Sequence, residues 1–309
     1  MKTLPVPHQD TDVEIGTGPG RVIALLGANG GKYPHGNSVL IVGTEESILV
    51  DPSLSVAQRG GVPGRVDRML VSHAHEDHLA GVSTFPNASL HSHHDDLLAL
   101  HSIDGLLQVY GMPEPTSTEW GKQVVEEFLY APRLDATGFG EGHTFDLGRM
   151  RVEVVHLPGH TRGHCGFLIE PDGVFFVADV DLSSFGPYYG DHWSDLEDFE
   201  QAIERCRSIE ARHYVTFRHK GIVSGREEFL RQLNVFASVI KTRDDRLLAF
   251  LSKPRTLEDI VAHRFIYRPG VDLLFANHVE RRSAVLHLAR LVREFKVFDE
   301  SGVFRSTGV

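Results

Sequence analysis

The chain has 309 residues, 41% hydrophobic and 24% charged, with a formal net charge of -11. That length and balance belong to an ordinary globular protein, one large domain with or without a small appendage, and the acidic excess argues against an extended nucleic-acid surface. Two cysteines, Cys165 and Cys206, cannot build a disulfide framework, and no apolar run offers a signal core or a membrane span, so the expectation is a soluble, cytoplasmic protein with no membrane partner.

Residues 21–27 read as a first strand ending in Gly27-Ala28-Asn29-Gly30-Gly31, a turn rather than a phosphate loop because no Gly-Lys-Ser/Thr follows. Runs at 38–42 and 47–50 make a hairpin around Gly43-Thr44-Glu45-Glu46, and Asp51-Pro52 closes its second strand. Residues 66–71 read as a buried strand and 88–91 as another, with a helix over 95–101. From 103 to 143 there is no strand pattern, only a helix over 119–130, which suggests a lid or substrate wall. Strands return at 144–147 and 150–156, and 166–169 with 174–177 form a hairpin through Pro171-Asp172-Gly173.

Residues 195–209 are amphipathic, with Leu196, Phe199, Ile203, Cys206 and Ile209 on one stripe, which makes Cys206 a core residue. A last strand at 213–217 and a long helix at 227–251 follow. Lys253-Pro254-Arg255 then marks a boundary between a domain of residues 1–252 and an appendage of 253–309. The appendage begins with a capping-box-like Thr256-Leu257-Glu258-Asp259, continues as a helix over 279–295 and ends in a small hairpin at 296–305. This winged-helix-like outline fits packing on the main domain or a homodimer contact better than nucleic-acid binding, given the acidic chain.

The chemistry concentrates in Val71-Ser72-His73-Ala74-His75-Glu76-Asp77-His78-Leu79. Side chains two apart on a strand share a face, so His73 and His75 converge where the strand ends, and Asp77 and His78 face the same point from the following turn. Imidazole and carboxylate suit a borderline divalent cation, and a catalytic site leaves room for water. Three more potential ligands end strands: His160 in Leu157-Pro158-Gly159-His160-Thr161, Asp179 in Phe175-Phe176-Val177-Ala178-Asp179, and His219 in Phe217-Arg218-His219-Lys220-Gly221. The His91-Ser92-His93-His94 cluster lacks this strand-then-turn spacing and reads as incidental.

This ordered set resembles the metallo-β-lactamase superfamily, with its HxHxDH motif, a histidine in a Pro-Gly-His turn, a later aspartate and a last histidine. The resemblance spans about residues 20–225 and implies an αββα sandwich, an α/β fold with its metals at one edge between the sheets. It assigns His73, His75 and His160 to one metal, Asp77, His78 and His219 to a second, and Asp179 as a bridge. Asp51 matches the early strand-end aspartate that supports a metal-bound histidine. A bridging Asp179 looks like the hydrolase and lactonase branches rather than true β-lactamases, and Asp181 is a weaker match. Residues 158–164 are similar to the turn of glyoxalase II-type thioesterases.

The implied activity is dinuclear hydrolysis, with two divalent metals, zinc foremost and iron, manganese or cobalt compatible. A shared hydroxide attacks a small carbonyl substrate (thioester, ester or lactone), and Asp77 accepts a hydrogen bond from that nucleophile. The alternatives are a phosphodiesterase, phosphotriesterase or nuclease on the same site, or an iron-dependent oxidoreductase. His164, Tyr188, Tyr189 and His192 flank the ligand loops and are the candidates for a leaving-group acid or a substrate contact, with wall or packing roles the commoner alternative for each.

Overall fold

A computed structural model describes residues 12–16 and 18–308. Two sheets face each other. The first runs in the order Asp12–Ile15, Arg21–Leu25, Ser38–Val42, Ser47–Val50, Arg68–Leu70, Ser89–His93 and Thr137–Phe139. The second runs Ile222–Ser224, His213–Thr216, Val174–Ala178, Cys165–Glu170, Arg151–His156 and Thr144–Asp146.

The period-two rule of strands builds the layers. Val22, Ala24, Val39, Ile41, Ile48, Val50 and Leu70 turn inward onto Phe145, Val152, Phe167, Phe176 and Val215 of the second sheet. Ile23, Leu25, Leu40, Leu49 and Met69, one position along, turn outward onto helices that carry Leu100, Leu106, Val109 and Trp120. On the far side, Phe175 and Val177 pack against Phe199 and Ile203 of the helix Leu196–Ser208 and Phe229, Leu233 and Phe236 of the helix Arg226–Phe250. The result is the four-layer αββα sandwich. Cys165 and Cys206 are both free and buried.

Several elements depart from expectation. Thr137–Phe139 is a strand inside the segment read as strandless; three residues give no alternation to detect, and it exists because it pairs with Ser89–His93. The helix Ile103–Tyr110 was also unread, its period interrupted by Gly105. The helix expected at 119–130 lies at Thr116–Glu127. His213–Thr216 is followed by one more strand, Ile222–Ser224, so it is not the last. The glycine-rich turn forms a single helical turn, Ala28–Gly31, in which Asn29 and Gly30 are left-handed.

Beyond residue 253 the helix Leu257–His263 starts with a true capping box between Thr256 and Asp259, and the helix Ala276–Arg293 follows. Val297–Glu300 and Val303–Ser306 form the expected hairpin, extended by Arg255–Thr256. This part is packed onto the sandwich. Leu247 and Leu251 share a core with Ile260, Ala284, Leu288 and Leu291. A polar seam reinforces it, with Arg290 and His287 both bonded to Asp244, and His287 Nε2 2.8 Å from the Tyr189 hydroxyl. Among the described residues no helix is long and apolar enough to cross a membrane.

Candidate metal centre

Parallel pairing of Ser47–Val50 with Arg68–Leu70 brings two strand ends to one edge, and with them Asp51 and the loop from Ser72. In the second sheet, parallel pairing of Val174–Ala178 with His213–Thr216 delivers Asp179 and the Phe217–His219 loop to the same place. Asp51, Ala178 and His219 all have positive φ, at 46, 45 and 61°. Such backbone is uncommon outside glycine, and its clustering at one edge is typical of built sites.

Three imidazoles converge. His73 Nε2 lies 3.0 Å from His75 Nδ1 and 3.1 Å from His160 Nε2. Ligation of one ion at 2.0–2.1 Å in a tetrahedral frame would set such nitrogens about 3.3 Å apart. Behind each ring stands an oxygen: Ser72 Oγ bonds His73 Nδ1 at 3.0 Å, the Tyr188 carbonyl bonds His160 Nδ1 at 2.8 Å, and Asp191 Oδ2 lies 3.0 Å from His75 Nε2 as an ion-pair contact without hydrogen-bond geometry. An oxygen on the rear nitrogen is how ligating histidines are oriented. Burial, with His78 and His160 close by, keeps His73 well below its ordinary pKa and so neutral. Burial also opposes protonation of His75, but Asp191 outweighs it and raises that pKa.

A second cluster adjoins the first. His78 Nδ1 meets Asp51 Oδ2 at 2.7 Å, and Ser72 donates to both Asp51 oxygens through its backbone N–H and hydroxyl. His78 Nε2 therefore points away, 3.1 Å from Asp179 Oδ1 and 3.9 Å from Asp77 Oδ1. All three of these atoms are buried and lack a hydrogen-bond partner. Burial opposes it, but Asp51, Asp179 and Asp77 together raise His78 to about 10. Buried polar atoms left unpaired are rare, and these three converge beside the carboxylate oxygens that close the cluster. Asp179 Oδ2 also lies 3.2 Å from His160 Nε2, so this carboxylate spans both clusters.

His219 does not join them. Its side chain is 34% accessible and lies 3.9 Å from Asp181 Oδ2. Arg218, one residue earlier, takes the inward path: Nε and Nη2 reach Asp77 Oδ2 at 3.1 and 2.5 Å, and Nη1 reaches Asp179 Oδ2 at 2.8 Å.

The clusters floor a cavity of about 230 Å³. Tyr33, Tyr110, Trp120, Tyr188, Phe185 and Phe275 wall it, with Tyr267 and Leu273 supplied by the C-terminal part. Among the described residues Arg218 is its only lysine or arginine, against Glu76, Asp77, Asp179, Asp181 and Asp191. Of the four expected substrate contacts only Tyr188 lines it. Tyr189 turns into the seam with His287 and Arg243. His164 is buried behind the ligands, bonded to the Leu157 carbonyl and the Asp179 N–H, with burial pushing it down to about 3. His192 is exposed on the surface. Chain proximity suggested the pocket for all three, whereas the loop backbone turns them away.

The sequence reading missed Glu76, buried inside the HxHxDH motif, where it accepts hydroxyl bonds from Tyr33 at 2.9 Å and Tyr110 at 2.5 Å. It also missed Asp191, and Asp96, which ties Ala74 N–H, Thr161 and Gly163 N–H together across the ligand loops. A carboxylate inside a histidine-rich motif was a usable signal for Glu76. Asp96 and Asp191 carried none, since their partners are far away in sequence.

The family model for the metallo-beta-lactamase superfamily matches residues 33–219, more than half of the chain. The chain belongs to the metallo-beta-lactamase superfamily. Among curated relatives, lactamase-like protein ptaB of Pestalotiopsis fici is 27% identical over 168 residues, 51% of this chain and 44% of the relative. An atrochrysone carboxyl ACP thioesterase of Emericella nidulans is 23% identical over 203 residues, 62% of this chain and 52% of the relative. The chain thus spans about half the length of these relatives. In structure it is similar to a metallo-beta-lactamase family protein of Thermus thermophilus, with TM-score 0.66 and 20% identity over 96% of this chain and 98% of the other. A beta-lactamase domain protein of Burkholderia ambifaria gives TM-score 0.67 and 18% identity over 99% and 97%. These likenesses establish the fold across nearly the whole chain, C-terminal helices included.

Proposed function

We propose that the chain hydrolyses thioesters whose acyl group is aromatic or otherwise apolar, using a metal bound by His73, His75 and His160. The observation that carries this is the convergence of those three oriented imidazoles on the floor of an aromatic-walled, acid-lined cavity. A metal there would lower the pKa of bound water towards neutrality and polarise the carbonyl. Zinc fits this ligand chemistry best.

The chain's own groups supply the rest. Asp77 Oδ1, buried and without a donor, is placed to accept a proton from water as it adds to the carbonyl carbon. The cavity carries five acidic side chains against one guanidinium, so a carboxylate product is disfavoured while a neutral acyl group is admitted. Tyr33, Tyr110, Phe275 and Trp120 offer flat apolar faces to that acyl group. Hydrolysis breaks the carbonyl C–S bond and yields a carboxylate and a thiol. A thiol leaves as thiolate with a pKa near 8.5 and needs little protonation. That suits a site whose tyrosines are poor acids, since burial and nearby carboxylates push Tyr110 and Tyr188 well above their ordinary value.

The thioesterase names of several relatives support the same substrate class. The phosphodiesterase and nuclease readings fare worse, because a polyanion would meet five carboxylates and a single guanidinium already engaged by two of them. The test is turnover of matched benzoyl and acetyl thioesters, an aryl lactone and a nitrophenyl phosphodiester. Benzoyl thioester should be the best substrate, and turnover of the phosphodiester alone would reject the proposal.

A further inference from the structure

The second cluster differs from its expected form in one respect: a guanidinium stands where the last histidine was to close it. Arg218 is not a surface residue that happens to lean in. Its side chain is 15% accessible, and among the described residues its ion-pair partners are Asp77 and Asp179, which are 0% and 3% accessible. The fork takes one oxygen from each carboxylate and leaves the other of each, with His78 Nε2, facing one another unpaired. Tyr33 and Phe217 rings lie 5.8 and 5.5 Å from the guanidinium carbon and flank it. His219 lines the cavity near Asp181 without joining the cluster.

Charge decides what this arrangement can hold. The first cluster is three imidazoles and needs a cation to bring them together. The second is two carboxylates already bridged by a fixed positive charge that cannot be lost by deprotonation. A dication entering there would displace the guanidinium from two buried carboxylates or share them with it at close range. In either case the dication competes with a charge already paired to both carboxylates.

We propose that Arg218 is the resident cation of the second position, so that this chain works with one metal ion on His73, His75 and His160 and a guanidinium in place of the second. This rests on the reading of those three histidines as metal ligands. Arg218 acts as a positioning residue. It fixes Asp77 with Oδ1 free for the nucleophile and holds Asp179 across the two clusters.

The test is a metal count that does not depend on activity. Metal-free full-length protein is titrated with cobalt(II) while its visible absorption is followed, and zinc-loaded protein is dialysed and its metal measured by mass spectrometry. Wild type should saturate at about one ion per chain, with the spectrum of a histidine-rich site. Arg218→Gln, which removes the charge but keeps much of the length, should bind a second ion, and the added His219→Ala should weaken that second ion. Arg218→Lys, still charged, should stay near one and serves if the glutamine variant fails to fold. Wild type retaining two ions with Arg218→Gln unchanged would overturn the inference while leaving the metal reading intact. Wild type binding none, with His160→Ala no different, would overturn the metal reading itself.

Discussion

The histidine trio 73, 75 and 160 and the trio Asp77, His78 and Asp179 lie side by side at one edge of the sandwich, yet they are balanced in different ways. Each histidine of the first has an oxygen behind its rear nitrogen, bonded to His73 and His160 and in ion-pair contact with His75, which leaves three donors converging. The second is anionic and already carries Arg218. A ligand motif therefore names the donors, whereas the residues one step away decide which cation satisfies them.

The comparison can be broken most severely at the first cluster. His160→Ala or His73→Ala should lower kcat/KM for a thioester by roughly 10³-fold or more, with loss of the retained metal. Equal activity in variant and wild type would place the chemistry elsewhere. A milder cut is Asp191→Asn, which removes the carboxylate behind His75. Metal affinity, measured by chelator competition, should fall roughly 10–100-fold.

Next comes the cavity wall. Phe275→Ala should raise KM for a benzoyl thioester roughly tenfold while leaving an acetyl thioester unchanged, since only the larger acyl group reaches that ring. A uniform loss for both substrates would point to a folding defect instead.

The seam between the sandwich and the C-terminal helices gives a pH signature. Burial holds His287 below its ordinary 6.5, against the pull of Asp244. The unfolded chain then binds more protons as pH drops through 6.5. This contribution to stability is complete above that value and declines as pH falls towards the folded one. Burial raises Asp244, but the bonds from His287 and Arg290 outweigh it and hold it below 3.8, so its contribution is lost only at lower pH. Thermal scans should show Tm falling by a few degrees on acidification from pH 7 to 5, with a shallower slope in His287→Gln.

The smallest effect belongs to His219. On the cavity wall but outside both clusters, it should change wild-type activity within about twofold when replaced by alanine. A large loss would restore it as a ligand.

Much of this was legible in the sequence. The Val66–Leu79 stretch gave a buried strand followed by four donors, because strand alternation and the turn after it fix where His73, His75, Asp77 and His78 point. Asp51 and Asp179 were readable as strand ends. What failed were short elements and orientations set by distant partners. Thr137–Phe139 and Ile222–Ser224 are three residues each and exist only through pairing. The Arg218–His219 choice depends on carboxylates 141 and 39 residues away, which no local pattern reports. Tyr188 and Tyr189 are neighbours in the chain but point respectively into the cavity and into the seam.

The most direct test of the account is benzoyl-thioester hydrolysis by one preparation measured as purified, after metal removal, and after zinc is returned, with metal content determined on each sample. The account predicts that activity disappears with the metal and returns in proportion to zinc bound, and that His160→Ala neither binds nor recovers. Unchanged hydrolysis in the metal-free protein would contradict it.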